Sequence, residues 1–80
     1  MKKMFFKRKK KVIHIEGMTC DHCVKKVEDA LEKLADVIKV KIDLKKKLAT
    51  ITYENTLDEI QIQNIIEQLG YTVTGIKDLS

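Results

Sequence analysis

The segment GMTCDHC at residues 17–23 contains both cysteines of this chain. An alternating strand pattern at residues 12–16 precedes the segment, with Ile13 and Ile15 on one face, and a helical pattern follows it. Cys23 is therefore predicted to lie in the first turn of a helix, where unpaired N–H groups and the helix dipole lower a thiol pKa. Because a thiolate is a soft ligand, the segment predicts a site for Cu(I), Zn(II) or a related ion.

Hydrophobic periodicity predicts the order strand, helix, strand, strand, helix, strand. The predicted elements lie at residues 12–16, 21–35, 38–44, 48–53, 57–69 and 71–76. In the second strand, Ile38 is predicted to face inward with the other apolar residues at alternate positions. Thr56 and Glu59 match a capping box at the start of the second helix, and Gly70 is predicted to end that helix in a left-handed conformation.

This order of elements predicts an α+β fold made of two β-α-β halves. Crossovers of this kind are right-handed, which places both helices on one face of a four-stranded antiparallel sheet. We therefore expect a ferredoxin-like βαββαβ sandwich. The fold alone predicts no chemistry, because it hosts many unrelated functions.

Charge divides the chain into a basic arm, a domain and a tail, predicted at residues 1–11, 12–76 and 77–80. The arm carries seven of the sixteen Lys and Arg residues and no acid, whereas residues 12–80 carry nine basic and twelve acidic residues. We expect the arm to be flexible. It is either a solvated terminus or a segment attracted to nucleic acid or, in weak contact, to a membrane surface, because basic clusters beside aromatic residues bind anionic surfaces.

The two cysteines are three positions apart, so a disulfide between them would close almost no loop. The pattern predicts reduced thiols and a cytoplasmic location. No apolar run approaches the length of a membrane span or of a signal-peptide core.

The cysteine segment, together with Leu69-Gly70-Tyr71, resembles the heavy-metal-associated domain over about residues 12–76. The similarity is greatest to small bacterial copper chaperones and to the N-terminal metal-binding domains of copper-transporting P-type ATPases. It implies that Cys20 and Cys23 bind one Cu(I) in a near-linear site at the surface. It also implies transfer of the ion, by stepwise thiolate exchange, to a copper-transporting P-type ATPase or a copper-responsive repressor. On this interpretation the protein is a carrier and not an enzyme.

The resemblance also assigns roles to the residues around the cysteines. It implies that Met18 is packed under the loop and is not a ligand, and that Thr19 disfavours zinc, since relatives that handle zinc place an acidic residue there. Tyr71 matches an aromatic residue near the metal loop, although a purely packing role remains open. His22 is either an auxiliary ligand or a solvent-facing side chain. As a ligand it could also link two molecules through the metal, although the metal-free protein is expected to be a monomer.

Several alternatives remain open at this stage. The same domain occurs at the N-terminus of heavy-metal P-type ATPases, and thiolate softness does not separate Cu(I) from Hg(II), Zn(II) or Cd(II). A thiol–disulfide oxidoreductase is disfavoured because the chain has no proline, which thioredoxin-like folds place beside their cysteines. A nucleic-acid-binding module is disfavoured because the predicted strands offer only Tyr53 and Tyr71 for base stacking.

Overall fold

The computed structural model describes residues 9–54 and 56–79. The elements follow the predicted order and are β1 (Lys9–Glu16), α1 (Asp21–Glu32), β2 (Val37–Asp43), β3 (Leu48–Tyr53), α2 (Glu59–Gln68) and β4 (Thr72–Asp78). The strands form one antiparallel sheet in the order β2-β3-β1-β4, and the two helices pack against each other and against the sheet. The predicted ferredoxin-like sandwich is therefore confirmed. Neither helix of this part of the chain has the length and apolar character needed to cross a bilayer.

The core lies between the helices and one face of the sheet. Its residues are those at alternate positions in the strands and at positions four residues apart in the helices, because residues at these spacings share one face. The side chains with no exposed surface are Ile13, Ile15, Val27, Leu31, Ala49, Ile51, Ile62 and Ile66. Both helices therefore bury one stripe, as the sequence pattern predicts.

Strand β1 begins at Lys9, three residues before the strand start predicted at residue 12, so residues 9–11 belong to the sheet. Lys11 faces the core and is 6% exposed, because it lies two residues before the buried Ile13 and its side chain is therefore on the same face of the sheet. Its Nζ donates to Glu59 Oε2 at 2.9 Å and to Asp78 Oδ1. Asp78 also belongs to β4, which ends two residues after the strand end predicted at residue 76. Residues 1–8 of the flexible arm predicted at residues 1–11 lie outside the described residues.

The inward orientation predicted for Ile38 is wrong. The pairing of β2 with β3 shifts register between Val37 and Lys39, which leaves Ile38 as the extra residue of a β-bulge. Val37 packs against the core instead, and Ile38 is 41% exposed. The alternation is regular from Lys39 onward.

One of the three predicted helix ends agrees with the structure, and the other two differ from it. The N-cap of α2 is Asp58, whose carboxylate accepts from the N–H groups of Ile60 and Gln61, so the cap predicted at Thr56 is wrong. Helix α1 ends at Glu32, three residues before the predicted end. Gly70 has a φ of +99° and ends α2 as predicted. Its N–H donates to Glu67 O and the next N–H donates to Ile66 O, which is the Schellman pattern.

Candidate metal centre

Both cysteines lie where β1 gives way to α1, at one end of the sheet. Cys20 is the N-cap residue of α1 in an extended conformation, and Cys23 lies in the first helical turn, as predicted. Their Sγ atoms are 3.3 Å apart, and both are free thiols. Cys20 is exposed, whereas Cys23 is half-buried and packs against the core. The structure thus brings two sulfur atoms together at the surface and gives them unequal surroundings.

The loop before the cysteines is held by Gly17, Met18 and Tyr71. Gly17 has a φ of +104°, and a Cβ at this position would lie 3.3 Å from Tyr71 Cδ1. The glycine therefore allows both the turn and the close approach of the tyrosine ring. Met18 is 4% exposed and belongs to the core, which anchors the loop from below. A glycine directly after a strand is the sequence signal for such a close approach, and it is the one signal at this loop that carries no separate prediction above.

The electrostatics of the site favour a thiolate at Cys23. Its pKa is lowered from an ordinary value of 9.0 to about 6. The leading cause is a hydrogen bond with the Tyr71 hydroxyl, and backbone N–H groups at Thr19 and Cys20 and the Cys20 thiol add to it. The negative charge of Cys23 in turn raises the pKa of Tyr71. The predicted direction of the thiol shift is confirmed, but the tyrosine contributes more than the backbone groups at the helix start.

The sulfur pair suits a soft ion of low coordination number. A linear complex needs its two sulfurs roughly 4.6 Å apart if each bond is about 2.3 Å, as for zinc thiolates. The observed 3.3 Å must therefore open by about 1 Å. Cys20 can supply this movement by side-chain rotation, because it is exposed, whereas Cys23 is half-buried and packs against the core.

The other predicted site residues lie around this pair without joining it. Thr19 and His22 are exposed, and His22 lines a shallow depression on the outer side of α1 with Lys25, Lys26 and Asp29. Among residues 9–54 and 56–79, no third His, Cys, Asp or Glu ligand atom lies within 4.8 Å of both sulfurs. The role of His22 as an auxiliary ligand stays a prediction.

Comparisons with known proteins agree on one family. The model of the heavy-metal-associated domain matches residues 12–72. The copper chaperone CopZ of Staphylococcus haemolyticus is 45% identical over 64 residues, which cover 79% of this chain and 94% of that protein. A probable copper-exporting P-type ATPase of Archaeoglobus fulgidus is 38% identical over 64 residues, which cover 79% of this chain but 8% of the ATPase. A solved structure described as the CopZ metallochaperone superposes with a TM-score of 0.77 at 29% identity, over 81% of this chain and 98% of that one.

Proposed function

The chain belongs to the heavy-metal-associated domain family, and from that premise we propose that it is a copper carrier. It holds one Cu(I) between Cys20 and Cys23 and passes the ion to a protein partner, without catalysing a reaction. The observation that carries the proposal is the pair of free sulfurs 3.3 Å apart at an exposed helix start. The similarity to a copper chaperone over nearly its whole length supports the same function.

Copper is favoured over zinc by the set of donors. Two thiolates satisfy a soft monovalent ion, whereas a structural zinc site is closed by four ligands. Among the described residues, no third ligand converges on both sulfurs, and Thr19 offers a neutral hydroxyl where an acid would offer a hard oxygen. The donor set therefore supports Cu(I) as the cargo.

The unequal surroundings of the two cysteines support an ordered handover. A thiolate of the partner attacks the bound Cu(I) from the open side, which gives a three-sulfur intermediate. The Cu–S bond to the exposed Cys20 then breaks, while Cys23 keeps the ion until a second partner thiolate replaces it. Each new bond forms before an old one breaks, so the ion is never released to water.

The proposed partner is the metal-binding domain of a copper-transporting P-type ATPase. The relative from Archaeoglobus fulgidus contains a region similar to this chain, so a related domain of such an ATPase is a suitable acceptor. The similarity of the two domains also supports a second candidate, in which this sequence is itself the metal-binding region of such an ATPase. Detection of the native polypeptide with an antibody separates them: a small polypeptide supports the carrier, and a large band in the membrane fraction supports the ATPase.

The test of the proposed function is an anaerobic titration with Cu(I) against a competing chelator, repeated with Zn(II). We expect one tightly bound Cu(I) per chain and much weaker zinc binding. The variant Cys20→Ser/Cys23→Ser should lose tight copper binding with an unchanged circular dichroism spectrum. His22→Ala is the matched control, because it alters the same loop but not the sulfurs. Tight Cu(I) binding by the double serine variant would contradict the proposal.

A further inference from the structure

The ring of Tyr71 lies across the backbone of Gly17. The last pair of the antiparallel β1–β4 ladder joins Glu16 to Thr72, so Gly17 and Tyr71 face each other just beyond that pair. A Cβ at Gly17 would lie 3.3 Å from Tyr71 Cδ1 and 3.7 Å from Tyr71 Cα. The ring therefore occupies the space into which a side chain at position 17 would project.

The main chain holds Tyr71 independently of this contact. Its N–H donates to Ile66 O at 3.2 Å, at the turn between α2 and β4. The side chains of Tyr71 and Cys23 are both half-buried and pack against the same core. With its backbone held in this way, the ring reaches the metal loop by crossing Gly17, and its hydroxyl hydrogen-bonds Cys23.

The ring divides the surroundings of the sulfur pair into a closed side and an open side. On the closed side, Cys23 packs against the core and meets the hydroxyl of Tyr71. On the open side, Cys20 and its two neighbours in the chain, Thr19 and Asp21, are exposed. A further ligand therefore reaches an ion held by the two sulfurs from the open side.

We propose that the Gly17–Tyr71 contact limits the number of ligands at the site and thereby determines its specificity for Cu(I). This role rests on the proposed function, because it concerns the same two sulfurs. An ion held by Cys20 and Cys23 can accept one more sulfur from the open side, as the handover requires.

A zinc site is closed by four ligands in a tetrahedron. The two ligands added to a sulfur pair then lie on opposite sides of the plane that contains the ion and both sulfurs. The ring of Tyr71 closes one of these two sides, which excludes the fourth ligand. Gly17 is a positioning residue, since it contacts the ring and not the ion.

The test measures the ratio of the Kd for Zn(II) to the Kd for Cu(I) by anaerobic competition with chelators. Tyr71→Ala removes the ring and should lower this ratio about tenfold, as groups outside the ligand shell change metal affinity by at least this factor. Tyr71→Phe keeps the ring and should keep the ratio of the parent. Loss of the hydroxyl raises the pKa of Cys23, which weakens the binding of both metals alike and leaves the ratio unchanged.

Gly17→Ala should lower the ratio in the same direction by less, because its methyl group moves the ring aside without removing it. The matched control is Gly70→Ala. Gly70 has a similar φ of +99°, but a Cβ there would meet no atom of the described residues within 4 Å, its chain neighbours apart. Both alanine variants are strained by a positive φ, so urea unfolding should show similar losses of stability. Gly17→Ala should change the metal ratio and Gly70→Ala should not.

Nuclear Overhauser effects in the metal-free protein report the position of the ring without any metal. The parent and Gly70→Ala should show effects between the ring protons of Tyr71 and the Cβ protons of Cys23, and Gly17→Ala should weaken them. The proposal is overturned if Tyr71→Ala keeps the metal ratio of the parent, or if both alanine variants change the ratio equally. It is also overturned if the effects between the ring and Cys23 are unchanged in Gly17→Ala.

The two Tyr71 variants decide the matter even if Gly17→Ala does not fold, because neither alters the backbone at residue 17. A parent that binds Cu(I) tightly, with an unchanged ratio in Tyr71→Ala, would contradict this inference alone. A parent that binds no Cu(I) tightly would contradict the proposed function instead.

Discussion

The two ends of β1 each present a reactive polar group, but only one of them is left open. Near the start of the strand, Lys11 is enclosed by Glu59, Asp78 and the ring of Tyr53, whose centroid is 5.7 Å from Nζ. After the end of the strand, Cys20 is exposed, and its Sγ lies 3.3 Å from the Sγ of Cys23. The ammonium group already has its partners, whereas the sulfur pair can take one from outside.

This difference indicates how the same small fold separates stability from function. The Lys11 cluster joins β1 to α2 and β4 at an end of the sheet that has no other buried polar side chain among the described residues. At the cysteine end, the apolar Met18 and the glycine contact with Tyr71 support the loop, and the polar atoms of the thiols stay free for a ligand. Substitutions at the two ends should therefore give opposite results in measurements of stability and of copper binding.

The largest expected effect is the loss of copper-dependent stabilisation in Cys20→Ser/Cys23→Ser. A ligand present at about a thousand times its Kd stabilises the folded state by about 4 kcal/mol, so Cu(I) should raise the Tm of the parent by well over 10 °C. The variant should show no such rise, while its Tm without copper stays close to that of the parent. Differential scanning calorimetry under anaerobic conditions measures both values, and a full copper-dependent rise in the variant would contradict the account.

The second effect is the loss of stability in Lys11→Met. Removing a buried ammonium that donates to two carboxylates should cost about 2 kcal/mol, a value reduced because both acids are more than half exposed. The Tm should fall by roughly 8–16 °C. The pKa of Lys11 is raised by its hydrogen bonds to Asp78 and Glu59, so its contribution is complete below pH 10.5 and is lost only in stronger alkali.

The control for Lys11→Met is copper affinity, which should not change, because the cluster lies at the opposite end of β1. Urea unfolding of the parent and the variant at pH 7 gives the free energies, and chelator competition gives the affinities. A variant that loses copper affinity but no stability would reverse the roles assigned to the two ends.

The third effect concerns the reactivity of Cys23. In a Cys20→Ser background, the rate of alkylation by iodoacetamide should rise with pH around a midpoint below the ordinary pKa of 9.0, because Tyr71 and the backbone groups still lower the pKa of Cys23. Tyr71→Phe removes the leading cause of that lowering and should move the midpoint up by about one pH unit, a tenfold change in acidity. The matched control is Tyr53→Phe, which removes a hydroxyl from the other end of the sheet. An unchanged midpoint in Tyr71→Phe would show that the tyrosine does not stabilise the thiolate.

The lowered pKa also sets the sign of a stability effect. Because the pKa of Cys23 is about 6 in the folded state and 9.0 ordinarily, the thiolate contributes its full stabilisation only above about pH 9. That contribution decreases as the pH falls and is lost below pH 6. The Tm of the metal-free parent should therefore decrease more between pH 9 and pH 6 than that of Cys23→Ser.

The smallest predicted effect tests where α2 begins. Asp58→Ala removes the side chain that accepts from two N–H groups at the helix start and should cost about 1 kcal/mol. Thr56→Ala should change stability by less than about 0.5 kcal/mol, because Asp58 and not Thr56 is the N-cap. Urea unfolding measures both, and a larger cost for Thr56→Ala would restore the capping box that the sequence predicts.

The sequence predicts what depends on local patterns. The order of the elements, the buried isoleucines of β1 and the left-handed Gly70 all follow from periodicity or from a residue with few alternatives. The cysteine pair was equally predictable, because three positions across a strand-to-helix turn bring two side chains together.

The errors arise where tertiary pairing or competition between neighbours decides the outcome. The bulge at Ile38 depends on the register with β3, which the local alternation of β2 does not contain. Thr56 and Asp58 are both good capping residues, and the choice between them depends on where the helix packs. Lys11 was assigned to an arm because of its charge, although its place in the alternation with Ile13 predicts the core side.

The most direct test of the account is the X-ray absorption spectrum of the protein loaded with one Cu(I) per chain. The account predicts a two-coordinate ion with two sulfur neighbours, supplied by Cys20 and Cys23, and no nitrogen neighbour. The spectrum of His22→Ala should then be the same as that of the parent. A nitrogen neighbour, or a sulfur pair that persists in Cys20→Ser/Cys23→Ser, would contradict the claim that these two sulfurs alone carry the copper.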